Sequence, residues 1–445
     1  MFFAFCHKMW YEFFMKRDIY KQLVSWKQSS SRKPLVLKGA RQVGKTYILK
    51  KFGEGEYDSV AYFNFEEDPD LNEIFTGRLS PERIIDTLSI YHESRISSDE
   101  TLIIFDEIQN SPETLTSLKY FCEDAPEYHI AAAGSLLGVK VGQSAPFPVG
   151  KVNFLDMHPM SFGEFLDAVG KKQLRMFIED KADFHSIPTS FHAELIDFLK
   201  IYYFVGGMPE AVGQYVEDKD LNKVRKIQDE ILSAYTIDFS KYTTRTEAIR
   251  LANIWASIPG QLARENKRFT FGRISKNARA REYDESIQWL VEAGLVKKVN
   301  NIKTAKLPLS GYQDNKFKLY LLDIGLLGAM IRVPQRAIIE GDCLFSEYNG
   351  AFVENYVAQE FVAHGQKDLY YWSSKNTAEV DFVVALENQI LPLEVKAGIS
   401  RQKKSLRVYG EKFKPPVLSR STLMNFKEDG KIRNYPLYAV SKFLL

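Results

Sequence analysis

Residues 39 to 46, Gly39-Ala40-Arg41-Gln42-Val43-Gly44-Lys45-Thr46, separate an apolar run, Leu35-Val36-Leu37, from a helix-compatible stretch, Tyr47-Ile48-Leu49-Lys50-Lys51. A strand, a glycine-framed loop ending in Lys-Thr, and a helix are the context a phosphate-binding loop requires. That order commits this part of the chain to an α/β sheet. Each residue type has its reason. The glycines let backbone N–H groups wrap the phosphates, Lys45 brings a point charge to the outer phosphates, and Thr46 can ligate Mg²⁺. The pattern implies that residues Gly39 to Thr46 bind ATP or GTP.

Such a loop needs a carboxylate from a neighbouring strand, one or two strand-helix units downstream. Thr101-Leu102-Ile103-Ile104-Phe105-Asp106-Glu107 is a buried-type β run ending in two acids. Asp106 is placed to hold the Mg²⁺ shell and Glu107 to polarise the attacking water, so the pair argues for hydrolysis. Further strands are expected at Val60 to Phe65, His129 to Ser135 and Lys151 to Leu155, with a helix over Pro81 to Ser94. Five strands alternating with helices predict a parallel sheet with ligand chemistry at its carboxyl ends. Ser135, at the end of the fourth strand, suits a γ-phosphate reporter that hydrogen-bonds the lytic water. Gly-Ser after a strand is equally plain turn chemistry.

At 445 residues the length suggests about three domains, and 45% hydrophobic with 26% charged is ordinary for a globular protein. The 59 basic and 57 acidic residues nearly cancel, so any electrostatic site must be local. Cys6, Cys122 and Cys343 are too far apart for a CxxC metal or redox pair and form no even disulfide framework, which favours a reducing, cytoplasmic setting. No apolar run reaches membrane-spanning length. The aromatic start, Met1 to Cys6, lacks a signal peptide's basic leader, and Met9 or Met15 can serve as the start. An amphipathic helix follows from Lys16, with Ile19, Leu23, Val24 and Trp26 on its apolar side.

The strings LVLKGARQVGKT, LIIFDEIQNSPE, AAAGSLLG, HPMSFGEFL and YYFVGGMPEAV occur in the order seen in bacterial and archaeal AAA-type ATPases with a nuclease-like C-terminal domain. The chain resembles that family over nearly its whole length. The resemblance implies a core of the AAA+/STAND kind, with Gly44, Lys45, Thr46, Asp106 and Glu107 on its nucleotide motifs and Ser135 at its first sensor position. Such proteins commonly place Gly-Arg before the fifth strand, whereas this chain has Gly150-Lys151. Lysine lacks the bidentate fork of arginine, so Lys151 is left out of the expected site.

Residues 250 to 263, 273 to 280 and 281 to 294 read as three short helices, followed by strands at Leu295 to Val299 and Phe317 to Leu322 around a loop containing Pro308. This is a winged-helix pattern. Arg264, Lys267, Arg268, Arg273, Lys276, Arg279 and Arg281 meet only Glu265 in the approach to it, a phosphate-contacting surface or the lid of the ATPase. From that lid Arg279 or Arg281 is within reach of nucleotide. The third helix carries Glu282, Asp284, Glu285 and Glu292, acids that repel phosphates and argue against base reading.

The last 100 residues hold a second constellation. Gly350 to His364 reads as a helix presenting Glu354, and Leu369 to Ser373, Glu379 to Leu386 and Gln389 to Ala397 as strands. If Glu387-Asn388 is a two-residue hairpin loop, Leu386 pairs with Gln389 and Asp381 falls opposite Glu394. Alternation then puts Asp381, Glu394 and Lys396 on one face, with Val380, Phe382, Leu393 and Val395 on the other. Opposed acids favour a divalent cation between them, Mg²⁺ or Mn²⁺, with Lys396 beside it. An Asp, a gap, then Glu-x-Lys resembles the PD-(D/E)xK nucleases, with Glu354 as their accessory acid. A solvated strand face with a surface salt bridge remains the alternative. From Lys396 to Arg433, eleven Lys or Arg face three acids, which suits a phosphate backbone or a solvated basic surface.

The expected organisation is an N-terminal helix over 1–30, a P-loop ATPase core with a helical lid over 31–245, a winged-helix-like domain over 246–345 and a nuclease-like α/β domain over 346–445. The expected ligands are ATP and Mg²⁺, with a second Mg²⁺ or Mn²⁺ at Glu354, Asp381 and Glu394. Expected partners are DNA and other copies of the chain, and no membrane. Two functions fit: an ATPase that acts on and cuts DNA, with Asp381, Glu394 and Lys396 catalytic, or a nucleotide-driven signalling switch, in defence or mobile-element biology, whose last domain binds without cutting.

Overall fold

The computed structural model describes residues 15–135, 148, 150–264, 267–274, 279–335, 350–374, 378–398 and 404–445. The aromatic start, Cys6, Met9, Glu265, Lys276 and Cys343 lie outside them, as does half of the stretch expected to be helical over 273 to 280.

The chain forms two compact units, Lys16–His158 with Glu292–Gly294, and Pro159–Val291 with Leu295–Leu445. In the first, α1 (Ile19–Gln28) and β1 (Leu35–Lys38) precede α2 (Lys45–Glu56), β2 (Ser59–Asn64), α3 (Leu71–Ile74) and α4 (Pro81–Tyr91). Then come β3 (Thr101–Asp106), α5 (Pro112–Asp124), β4 (His129–Gly134) and β5 (Asn153–Asp156). The five strands form one parallel sheet in the order β2-β3-β4-β1-β5. Every residue of β3 and β4 is buried, as an apolar run covered on both faces requires. Val36, Ile103, Phe105 and Ile130 pack with Ile84 and Leu88 of α4 and Leu118 and Phe121 of α5. On the alternate residues, a Cβ on Gly53 of α2 would meet Val60 and Leu102 side chains.

The second unit begins with α6 (Phe162–Ala168), α7 (Lys172–Glu179), α8 (Thr189–Val205), α9 (Pro209–Asp218), α10 (Leu221–Tyr242), α11 (Arg245–Leu262) and α12 (Ala280–Glu292). It continues through β6 (Val296–Ile302), β7 (Gln313–Leu321), α13 (Ile324–Met330), α14 (Ala351–Ala363), β8 (Leu369–Ser373), β9 (Glu379–Leu386) and β10 (Gln389–Val395). The chain closes with α15 (Lys404–Phe413), β11 (Leu418–Thr422), β12 (Lys427–Asp429) and β13 (Ile432–Pro436). Its eight strands lie in the order β12-β13-β11-β10-β9-β8-β6-β7.

The compact units do not divide at 245 or 345. Helices α6 to α10, expected as the lid of the first domain, belong to the second unit. The β6–β7 hairpin is antiparallel, as a wing would be, yet β6 also pairs in parallel with β8, from Val299↔Leu369 to Ile302↔Trp372. Backbone hydrogen bonds therefore run unbroken from this hairpin into the C-terminal strands.

Candidate functional site

The nucleotide loop leaves the carboxyl end of β1 and enters α2 at Lys45. Gly44 caps that helix at φ +96°, a backbone region open to glycine. Gly39 is required by proximity, because a Cβ there would sit 2.3 Å from the Met157 carbonyl oxygen. Lys45 is buried, and its Nζ donates to the carbonyls of Gly39 at 2.9 Å and Ala40 at 2.8 Å. Burial lowers its pKa to about 8, even though Glu107 and Asp106 pull the other way. Such an ammonium gains most when an anion arrives to solvate it.

Thr46 Oγ1 donates to Asp106 Oδ2 at 2.7 Å. The same oxygen accepts the Tyr62 hydroxyl at 2.9 Å, and Oδ1 accepts the Glu107 amide at 3.0 Å. β3 is not a neighbour of β1, contrary to expectation, since β4 lies between them. Thr46 bridges that gap because α2 packs across β2, β3 and β4. The hydroxyl and carboxylate form an all-oxygen donor set suited to Mg²⁺. Glu107 adopts a left-handed φ of +51° and accepts a hydrogen bond from Gln109 Nε2. Burial raises its pKa, against the opposing pull of Gln109 and Lys45, which favours a base. Ser135 leaves β4 buried, one residue beyond the Lys38↔Gly134 pair, between the loop and the acids of β3.

In the second unit, the β9–β10 hairpin has the expected register, with Leu386 opposite Gln389 and Phe382 opposite Leu393. Its turn residues Glu387 and Asn388 both have positive φ, as a two-residue turn of this twist demands. Asp381 Oδ2 accepts the Val395 amide at 2.7 Å, and Glu394 Oε1 lies 3.1 Å from Lys396 Nζ. The expected alternation of faces fails at this point. Val380 and Val383 pack with Leu406 and Tyr409 of α15, whereas Phe382 meets Phe361 of α14. Between the pairs Tyr370↔Val383 and Trp372↔Val380, β9 holds one extra residue, and this bulge resets the period around Asp381.

Glu354, in the first turn of α14, is 2% exposed. It pairs with Lys267 Nζ, with Lys318 Nζ at 3.1 Å and with the Tyr320 hydroxyl at 2.5 Å. Lys318 is fully buried and also reaches Glu379 at 2.6 Å. Burial would raise the Glu354 pKa, but Lys267 and Lys318 hold it far below the usual carboxylate range. Asp381 moves the other way, pushed up to about 7 by burial and by the Glu354 charge. Burial acts to lower the Lys396 pKa, yet Asp381 and Glu394 outweigh it and raise it.

Among the described residues no three His, Cys, Asp or Glu side chains gather as a metal-holding group. The second metal centre expected at Glu354, Asp381 and Glu394 is not shown, and Glu354 is instead paired with Lys267, Lys318 and Tyr320. The shared sheet accounts for that pairing, since β7 delivers Lys318 and Tyr320, and the segment between α11 and α12 delivers Lys267, onto Glu354. The basic approach is altered too. Lys267 and Arg268 turn inward, Arg268 donating to Ser373 Oγ at 3.2 Å, while Arg264, Arg273, Arg279 and Arg281 are exposed. The outward side of α12 shows Glu282, Asp284 and Glu285, with Tyr283, Ile287, Trp289 and Leu290 buried.

Residues 31–166 match the AAA domain family. This chain carries an AAA-type P-loop domain. Beyond it, residues 196–337 match a Domain of unknown function (DUF8612) and residues 349–439 another, DUF4143. No curated protein sequence matches the chain. Similar solved structures include a Walker-type ATPase of Pyrococcus abyssi, at 14% identity and TM-score 0.43, over 71% of this chain and 96% of that one. The Aeropyrum pernix ORC2 protein, in ADPNP and ADP complexes, gives 18% identity and TM-score 0.36 over 72% and 91%. The Thermotoga maritima RuvB Holliday junction branch migration motor gives 14% and 0.30 over 66% and 91%.

The AAA-type domain brings Lys45, Thr46, Asp106, Glu107 and Ser135 to one end of its sheet. Within the loop Ala40 and Val43 are buried, Gln42 is exposed at φ +66°, and Arg41 Nη2 lies 3.9 Å from Glu66. Lys151 pairs with Glu123 at 2.8 Å. Sequence reasoning missed three residues: Tyr62, Gln109 and Arg17. Tyr62 had a signal in its place on the strand before β3. Arg17 had none, because its contacts lie 26 and 141 residues away.

Proposed function

We propose that the chain is an Mg²⁺-dependent ATP hydrolase whose C-terminal region engages a partner, DNA in the first instance, without cutting it. The observation that carries the hydrolase is the Thr46–Asp106 contact at 2.7 Å with Glu107 beside it and Lys45 buried in the loop. Mg²⁺ held by Thr46 and Asp106 would offset phosphate charge. Lys45 supplies the positive charge for the outer phosphates, and Glu107, its pKa raised by burial, orients and takes a proton from the attacking water. Ser135, buried just beyond the end of β4, is assigned the role of sensing the last phosphate.

Binding without cutting is favoured by the commitment of Glu354 to Lys267, Lys318 and Tyr320. DNA is favoured by exposed Arg264, Arg273, Arg279 and Arg281, and the acids of α12 make that contact one of backbone rather than base. We assign the ATPase core to the 31–166 region and the partner surface to the region from 246 onward.

The test is ATP turnover by the full chain with and without linear, nicked and branched DNA and Mn²⁺, beside Lys45→Ala, Glu107→Gln and Glu394→Gln. We expect Glu107→Gln to bind ATP but to lose turnover by about 100-fold or more. DNA should shift in gels and remain intact. Cleavage that disappears in Glu394→Gln would overturn the non-cutting reading, and unchanged turnover in Glu107→Gln would overturn the hydrolase.

A further inference from the structure

Arg17 lies just ahead of α1 and is 8% exposed, unusual for an arginine outside any recognised motif. Its Nη1 donates to the Val43 carbonyl at 2.9 Å and its Nη2 to the His158 carbonyl at 2.6 Å. Val43 is in the phosphate-binding loop. His158 is the last residue of the first unit before the chain passes to the second at Pro159, and Lys16, adjacent to Arg17, is its first. One guanidinium therefore ties the nucleotide loop to both ends of the Lys16–His158 segment of the first unit.

The peptide joining Val43 to Gly44 is planar and trans, so its carbonyl and the Gly44 N–H point in opposite directions. Holding the carbonyl on Arg17 fixes where that N–H points. Without the tether the plane is free to turn, and a carbonyl oxygen turned into the loop repels phosphate where an N–H would bind it. The loop's other carbonyls at Gly39 and Ala40 are held by Lys45. The fork geometry of arginine serves two carbonyls at once, which a lysine ammonium on a flexible stem does less well.

We propose that Arg17 is a positioning residue of the nucleotide site, presetting the Val43–Gly44 peptide for phosphate and tying the loop to the His158 end of the first unit's main segment. The proposal rests on the nucleotide-site reading above and deepens it. Because the preset loop serves ground state and transition state alike, its loss falls on binding rather than on chemistry.

The experiment compares parent, Arg17→Ala, Arg17→Lys and Leu23→Ala full-length proteins. Leu23, fully buried in α1, is the control for a merely structural loss. ADP affinity is read by calorimetry, and KM and kcat for ATP by steady-state turnover. We expect Arg17→Ala to weaken ADP binding and raise KM by about tenfold with kcat within about twofold, as loss of the charge-assisted hydrogen bond to the Val43 carbonyl implies. Arg17→Lys should fall between, and millimolar guanidinium should restore part of the affinity of Arg17→Ala. Leu23→Ala should melt earlier at unchanged KM. An Arg17→Ala or Arg17→Lys protein that melts earlier but binds ADP like the parent overturns the proposal, as does a KM rise of the same size in Leu23→Ala. A parent that binds ADP but does not turn over ATP sinks the hydrolase reading while leaving the Arg17 claim to the calorimetry.

Discussion

The lowered pKa of Lys45 makes nucleotide affinity depend on pH above neutrality. Burial depresses the free ammonium to about 8, so at pH 7 it is charged and at pH 9 mostly neutral. A bound phosphate restores the charge, so binding between these limits must take up a proton. At pH 9, one unit above the free value, the neutral form outweighs the charged one by about tenfold, so affinity should fall by about tenfold, or 1.4 kcal/mol, from its pH 7 plateau. Below pH 8 the affinity levels off, because Lys45 is already protonated. The second ionisation of a terminal phosphate, near a pKa of ~6, is complete before this window opens. The stability of the free protein runs the opposite way. Between about 8 and the ordinary lysine value of ~10.4 the unfolded chain holds more protons than the folded one, so folding stability rises with pH there. The assay is ADP calorimetry from pH 7 to 9.5 in buffers of different ionisation enthalpy. At pH 8.5 it should register uptake of about three-quarters of a proton per site. Lys45→Arg should bind more weakly at every pH but lose the slope, since guanidinium does not titrate in this range. Affinity flat from pH 7 to 9.5 with no proton uptake in the parent would refute the reasoning.

Three further outcomes are expected. Tyr62→Phe removes one of two hydroxyl donors to Asp106 Oδ2, a bond to a charged acceptor worth about 1.5–3 kcal/mol, so the Mg²⁺ needed for half-maximal turnover should rise several-fold. ADP binding in excess EDTA should not change, and an unaltered Mg²⁺ requirement would contradict the role given to Tyr62. Lys318→Met leaves Glu354 and Glu379 short of a buried cation and should cost about 3–5 kcal/mol in urea unfolding, much of it recovered by adding Glu354→Gln. A single-variant loss under about 1 kcal/mol would mean that Lys318 is not the partner that keeps Glu354 ionised. Gly39→Ala forces a Cβ to within 2.3 Å of a backbone oxygen that cannot swing aside, and ADP binding should be lost; parent-like binding would show that the loop yields at this contact.

The elements that sequence made legible are those whose chemistry is written in consecutive residues. The loop at Gly39 to Thr46 needs glycine where φ is positive or where a backbone passes close, and those glycines stand next to the lysine and threonine they serve. The acids Asp106 and Glu107 end an uninterrupted apolar run, and such a run is a strand buried on both faces wherever it occurs. The Glu387-Asn388 turn sets its own register, so counting outward from it placed Phe382 opposite Leu393. The alternation of faces expected around Asp381 failed, because a bulge against β8 adds a residue that no local pattern announces.

Strand order and the partners of buried charges belong to the tertiary structure. β4, remote in sequence from β1, inserts between it and β3, and only the packing of α2 across the sheet lets Thr46 reach Asp106. Glu354 looked like a metal ligand because its own helix says nothing of who will face it. Its partners Tyr320, Lys318 and Lys267 lie 34, 36 and 87 residues earlier, brought there when β6 pairs with β8 and joins the hairpin to the C-terminal strands. A buried carboxylate takes its protonation state and its role from the nearest charges in space. Sequence alone therefore determined that this chain holds a phosphate-binding loop with acids to match, and the long-range pairing of β6 with β8 decided that Glu354 holds cations of its own chain.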